Sequence, residues 1–199
     1  MLSINLVKNI YFFNIGGYGN DDNYFQWTSK FYNKNPHFQI KITRNPPHKD
    51  IFYTINNPDI TIVYYAKDDT VFTIAGHPNL QSQLLEAMLE YLVSEFYDMY
   101  DSSLLTTCYG DTCDVFDGFS MVVLDLLNNF DEKNLIKITR VNCKGCDKKT
   151  QEIIIKKSLI QNSNSSTTPL VFIHSGHALL IYIDNDFKVR GSQLVDVSY

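Results

Sequence analysis

The stretch DITIVYYAKDDTVFTIAG, residues 59–76, consists of two runs rich in Ile, Val, Tyr and Phe separated by Lys67-Asp68-Asp69. That pattern predicts a β-hairpin with a polar turn. A long helix is expected immediately after it. Pro78 suits a first helical position, because its nitrogen has no hydrogen to leave unpaired and its φ is already helical. Leu84, Leu85, Met88, Leu92, Phe96 and Met99 then recur at spacings of three and four, with Gln81, Glu86, Glu90, Glu95 and Asp98 on the remaining surface. A hairpin that runs straight into an amphipathic helix implies a sheet with one face to be covered.

Upstream, KNIYFFN (Lys8 to Asn14) reads as a first strand, ended by Gly16-Gly17-Tyr18-Gly19. These glycines read as a turn. A phosphate-binding loop needs a Lys-Ser/Thr pair or a helix opening on GxGxxG, whereas GGYGNDDNY supplies acids that would repel a phosphate. The aromatic segment from Tyr24 to Tyr32 fits helix and strand equally, and its Trp27 suits a core or subunit contact. FQIKIT (Phe38 to Thr43) alternates apolar and polar and is expected to be a strand with one wet face, and Phe52 to Ile55 another short one. His37, His48 and His77 sit beside prolines and read as solvated loop residues, with no carboxylate or nucleophile at an informative spacing.

Downstream, a second helical stretch is predicted from Asp114 to Phe130, with Phe116, Phe119, Val122, Val123, Leu126, Leu127 and Phe130 as its apolar stripe. Cys108 and Cys113 precede it. With no further ligands nearby they are expected to be reduced thiols. Composition and charge change at residues 128–134, giving two expected domains, 1–134 and 135–199. Of the net charge of −5, residues 1–135 hold 8 basic and 17 acidic side chains, and residues 136–199 hold 9 basic and 5 acidic. Neither part is basic enough to demand nucleic acid. No apolar run approaches the ~20 residues that cross a bilayer, which leaves at most peripheral membrane association. MLSINLVKNIYFFNIGG alternates like a strand and lacks a basic leader and a cleavage site, so it is expected to be structure in a cytoplasmic protein.

The segment from about Asn5 to Asp131 resembles a longin domain, the αβ module of trafficking SNAREs and adaptor small subunits. The resemblance lies in the hairpin Ile60 to Ala75, the helix Leu80 to Tyr100 with its LEYLVSEFYDMYD ending, and FDGFSMVVLDLLNNF. Profilin and roadblock domains have similar sandwiches of helices around a five-stranded antiparallel sheet. The helix that longin domains place between the second and third strands has no evident counterpart in the sequence. The resemblance implies an α+β fold and a non-enzymatic platform. Its partners would be small GTPases, SNARE segments or longin- and roadblock-type proteins, and homo- or heterodimers are expected.

Residues 135–199 carry the sharpest chemical pattern. IKITRVN runs into Cys143-Lys144-Gly145-Cys146, and a strand from Leu170 to Ile173 runs into His174-Ser175-Gly176-His177. Two-residue turns between opposed side chains would let each hairpin pinch one ion, the geometry of a zinc ribbon, with Cys143, Cys146, His174 and His177 as ligands of Zn2+. A metal-free β-module is the alternative. A thioredoxin-like redox pair lacks a helix beginning between the cysteines. The tail also resembles a short module at the C-termini of uncharacterised Asgard-archaeal proteins, through CKGC, KKSLI and IDNDFKVRGSQLVDV. That module usually has Cys-x-His where this chain has Phe172-Ile173-His174, so His177 would replace the missing ligand.

The expected function is therefore that of a non-enzymatic adaptor or regulator in small-GTPase or membrane-trafficking machinery. The alternative is a thiol-dependent hydrolase using Cys143 or Cys146 with His174 as base.

Overall fold

From residue 4 the chain forms α1 (Leu6–Asn9), β1 (Ile10–Gly17), β2 (Asn23–Thr28), α2 (His37–Thr43), β3 (Phe52–Asn57), β4 (Ile60–Lys67) and β5 (Thr70–Gly76). Then come α3 (Ser82–Met99), α4 (Phe119–Asn128) and α5 (Phe130–Lys133). The computed structural model describes residues 4–108, 113–146, 150–174 and 176–195. Two compact units, Met1–Lys133 and Asn134–Tyr199, divide the chain.

The first unit is α+β, with a five-stranded antiparallel sheet in the order β2-β1-β5-β4-β3. The predicted hairpin is β4 and β5, joined through Asp68 and Asp69 with Lys67 opposite Thr70. Its continuous apolar run is explained by burial on both faces. Successive side chains of a strand point to opposite faces, and β1 shows the consequence. Phe12 packs with Ile40 of α2, Ile62 and Ala75, while the Phe13 ring lies 5.9 Å from that of Phe119 on α4. α3 covers β4 and β5, with Phe96 edge-on to Phe72 at 5.6 Å. Burying each of these phenylalanines contributes roughly 1.5–3 kcal/mol.

Several expectations are corrected here. FQIKIT is a helix, α2, and it lies between the second and third strands. Asn35 starts it by accepting the His37 N–H through Oδ1 at 2.9 Å. Only Ile40 and Thr43 of this helix are buried, three residues apart as a helix requires, while Phe38 is 70% exposed. Thr43 Oγ1 and Thr73 Oγ1 are 2.8 Å apart, which ties the helix to β5. The Tyr24 to Tyr32 segment is strand β2 as far as Thr28 and then a turn, closed by the Tyr32 N–H donating to the Ser29 carbonyl, and β1 continues through Gly16 and Gly17. α3 begins at Ser82 and not at Pro78, because residues 77–80 close a turn of their own, with the Leu80 N–H donating to the His77 carbonyl. The stripe of α3 is buried from Leu84 to Phe96, while Met99 at its end is 49% exposed.

The second unit contains β6 (Ile136–Asn142), β7 (Thr150–Lys156), α6 (Lys157–Gln161), β8 (Thr167–His174), β9 (His177–Asp184) and β10 (Val189–Val195). β6 pairs with β7, and β8, β9 and β10 form a three-stranded antiparallel sheet with β9 in the middle. The one-turn helix α6 means that the module is not all-β. Val141, Ile153, Ile155, Ile160, Leu179, Ile181 and Ile183 form its core, together with Cys143. The IDNDFKVR segment is a turn built on Asp184, whose carboxylate accepts the N–H groups of Asp186 and Lys188 at 3.0 and 2.8 Å. The Arg190 guanidinium donates to the other oxygen of that carboxylate.

Candidate metal centre

The core of the second unit ends in sulfur. Cys143 follows β6 and is fully buried. The chain then winds through a 3-10 turn, Lys144–Cys146, closed by the Cys146 N–H donating to the Cys143 carbonyl at 3.3 Å. This turn puts both sulfurs on one side. Asn142 lies opposite Thr150, so the connection comprises residues 143–149 and is not the expected two-residue hairpin turn.

His174 is the last residue of β8, and His174 and His177 oppose each other across the turn at Gly176, as the pattern HSGH predicts. Gly176 has φ +76°, a left-handed conformation that glycine adopts without strain. The imidazole stacks on Phe172, two residues earlier on the same face of the strand, with centroids 5.1 Å apart and planes 19° from parallel. Both ring nitrogens are buried.

One ligand atom each from Cys143, Cys146 and His174 lie within 4.8 Å of one another, the one such group of three among the described residues. A tetrahedral zinc site holds sulfur and nitrogen ligands about 3.5–3.8 Å apart, so side-chain adjustments on the order of 1 Å would close these three around an ion. The donor set fits: two thiolates cancel the ion's charge and an imidazole adds a neutral ligand. The cluster could therefore hold a metal ion. The His177 side chain and Ser175 lie outside the described residues. Three of the four expected ligands are thus placed together.

No protein-family model matches the chain, and no curated protein shows significant similarity to it.

The other two cysteines overturn an expectation. Cys108 and Cys113 form a disulfide rather than two thiols. The 3-10 segment Ser102–Thr107 turns the chain so that their Cα atoms lie 5.7 Å apart, within bridging range. The Cys113 N–H donates to the Tyr24 carbonyl of β2 at 3.1 Å, which anchors the bridge to the sheet.

The remaining candidates have structural settings. His37 opens α2 and is exposed, and His48 is exposed. His77 accepts the Asn79 N–H through Nδ1 at 3.2 Å. The rings of Tyr97 and Tyr100 pack against Phe96. A buried arginine, Arg44, is a feature that sequence reasoning missed. It is 4% exposed, and burial lowers the pKa of its guanidinium while Asp21, Tyr24 and Asp22 act to raise it. No spacing in TRNPPHKD, residues 43–50, marks it out. The signal is tertiary.

Proposed function

We propose that the first unit is a longin-like interaction platform, and that the second is a small module held by Zn2+ on Cys143, Cys146 and His174, with His177 as the fourth ligand. Together they would act as a non-enzymatic adaptor or regulator for a small GTPase or a longin- or roadblock-type partner. The observation that carries this reading is the order of elements. α2 lies between the second and third strands of a five-stranded antiparallel sheet, and α3 and α4 follow the fifth.

Two features support a platform. Among the described residues the edge strand β3 pairs with β4 alone, which leaves its outer edge available for β-addition. Phe38 and Ile42, one turn apart on α2, are 70% and 43% exposed. An exposed apolar helix face and an open sheet edge can each hold an extended segment or a sister domain. The complete burial of Cys143 argues against that residue as the nucleophile of the hydrolase alternative, because a substrate carbonyl would have to reach its sulfur, and leaves the half-buried Cys146 as the candidate for that reading.

The test is a titration of the purified chain with small GTPases from its own source, loaded with GDP or with a non-hydrolysable GTP analogue, alongside size-exclusion chromatography with light scattering. Nucleotide-dependent binding or dimerisation that is lost in Phe38→Asp/Ile42→Asp is expected. A monomer that binds none of them in either nucleotide state would count against the reading.

A further inference from the structure

The second unit contains a cleft of about 460 Å3 lined by residues 140–142 of β6, Lys144 and residues 189–192 of β10. Its volume is within the roughly 300–1,000 Å3 of ligand sites. Because side chains alternate along a strand, a cleft lined by consecutive residues of two strands runs along their edges and not across a sheet face. Among the described residues β6 pairs only with β7 and β10 only with β9, so those edges keep outward backbone groups unused by either sheet.

Three cations stand around this opening. Arg140 is exposed and meets Glu152 at 2.9 Å, Lys144 sits in the cysteine turn, and Arg190 lies where the β10 register shifts, with its guanidinium on Asp184. The unit as a whole holds nine basic and five acidic residues. We propose that this cleft binds an acidic peptide segment in extended conformation, which adds to a strand edge and places its carboxylates against Arg140 and Lys144. Strand addition gives affinity through main-chain bonds, and the cations select acidic side chains. Single-stranded nucleic acid fits less well, because no lining residue offers an aromatic ring for a base to stack on.

The salt bridge Arg140–Glu152 makes the proposal sharper. Glu152 occupies the arginine with a carboxylate on the neighbouring strand, so an incoming acid must compete with it. Glu152→Gln should therefore tighten binding, a gain that non-specific charge attraction elsewhere on the unit would not localise.

The experiment is fluorescence anisotropy on the full chain with a labelled peptide of alternating glutamate and valine. A glutamine–valine peptide, an acidic peptide with alternate amides N-methylated, and an oligouridylate serve as comparisons. Expected are binding of the acidic peptide that weakens with salt, a loss of roughly three- to fivefold in Lys144→Gln, no change in Lys137→Gln, and a gain in Glu152→Gln. Unchanged circular dichroism and metal content in Lys144→Gln separate loss of the charge from loss of the turn. Equal affinity for the glutamine–valine or N-methylated peptide, preference for oligouridylate, no binding, or equal effects of Lys144→Gln and Lys137→Gln would each overturn the proposal.

Discussion

The guanidinium of Arg44 lies directly over Gly16, so close that a Cβ on residue 16 would fall 1.4 Å from Nη1. Arg44 caps the C-terminal end of α2, and its carbonyl accepts the Gly19 N–H at 3.0 Å. The helix end, the β1–β2 turn and the sheet therefore meet at one residue pair. Gly16→Ala must drive the arginine out of its buried position, at a cost of about 1–3 kcal/mol by analogy with other overpacked sites. Urea denaturation of the single variants and of Gly16→Ala/Arg44→Ala should show less than additive losses, since either change alone already breaks the same contact. Additive losses would mean that the two residues act independently.

Alkaline stability should depend on Tyr97. Burial raises this phenol from 10.0 to about 12, with Thr70 opposing it and the carboxylate of Asp68 adding a smaller upward push. Its hydroxyl donates to the Lys67 carbonyl at 3.3 Å, a bond that only the neutral form can make. In the unfolded chain the proton leaves near 10, whereas the native state holds it until about 12. Across that window the unfolded state binds fewer protons, so stability is present below pH 10 and falls as pH rises to 12. Tyr65 adds to the same slope, its pKa raised by burial and by its hydrogen bond to Asp50. Denaturation midpoints for Tyr97→Phe should decline less steeply over this range than those of the parent; identical slopes would remove Tyr97 from the account.

The Cys108–Cys113 bridge closes a short loop, and constraining the unfolded chain in this way is worth about 2 kcal/mol. Thiol titration under denaturing, non-reducing conditions should detect Cys143 and Cys146 only, and all four cysteines after reduction. Cys108→Ser should then lower the melting point of the first unit without affecting the second. Four reactive thiols in the unreduced protein would refute the pairing.

These features differ in how far they were legible in the sequence, and the reason is physical. The hairpin of β4 and β5 and the stripe of α3 could be read because burial there dictates long apolar patterns. α2 could not, because Phe38 and Ile42 imitate strand alternation while facing outward, and only Ile40 and Thr43 report the true period. Asn35 and Pro36 were the overlooked helix-start signal. The closeness of the two sulfurs was legible because a CxxC motif is local, whereas the longer connection that carries it was not. Arg44, the disulfide and the cleft cations depend on where the fold carries distant residues, and no local pattern records that.

Metal removal tests the second unit most directly. Its core is small, so a bound ion would supply part of the folding free energy of residues 134–199. Chelation is expected to abolish the melting transition of this unit while leaving that of the first in place. Cys143→Ser should do the same, because it removes a ligand and a negative charge from a fully buried position. His174→Ala should lower zinc content, since its imidazole completes the cluster with the two sulfurs. His177→Ala discriminates between ligand sets: if His177 is the fourth ligand, zinc affinity falls with it, and if affinity is unchanged the fourth position belongs to another donor. Acid should release the ion as protons compete for the thiolates and the imidazole. Protein purified without chelator that holds no zinc, and melts identically with and without EDTA, would reduce Cys143, Cys146 and His174 to ordinary core neighbours.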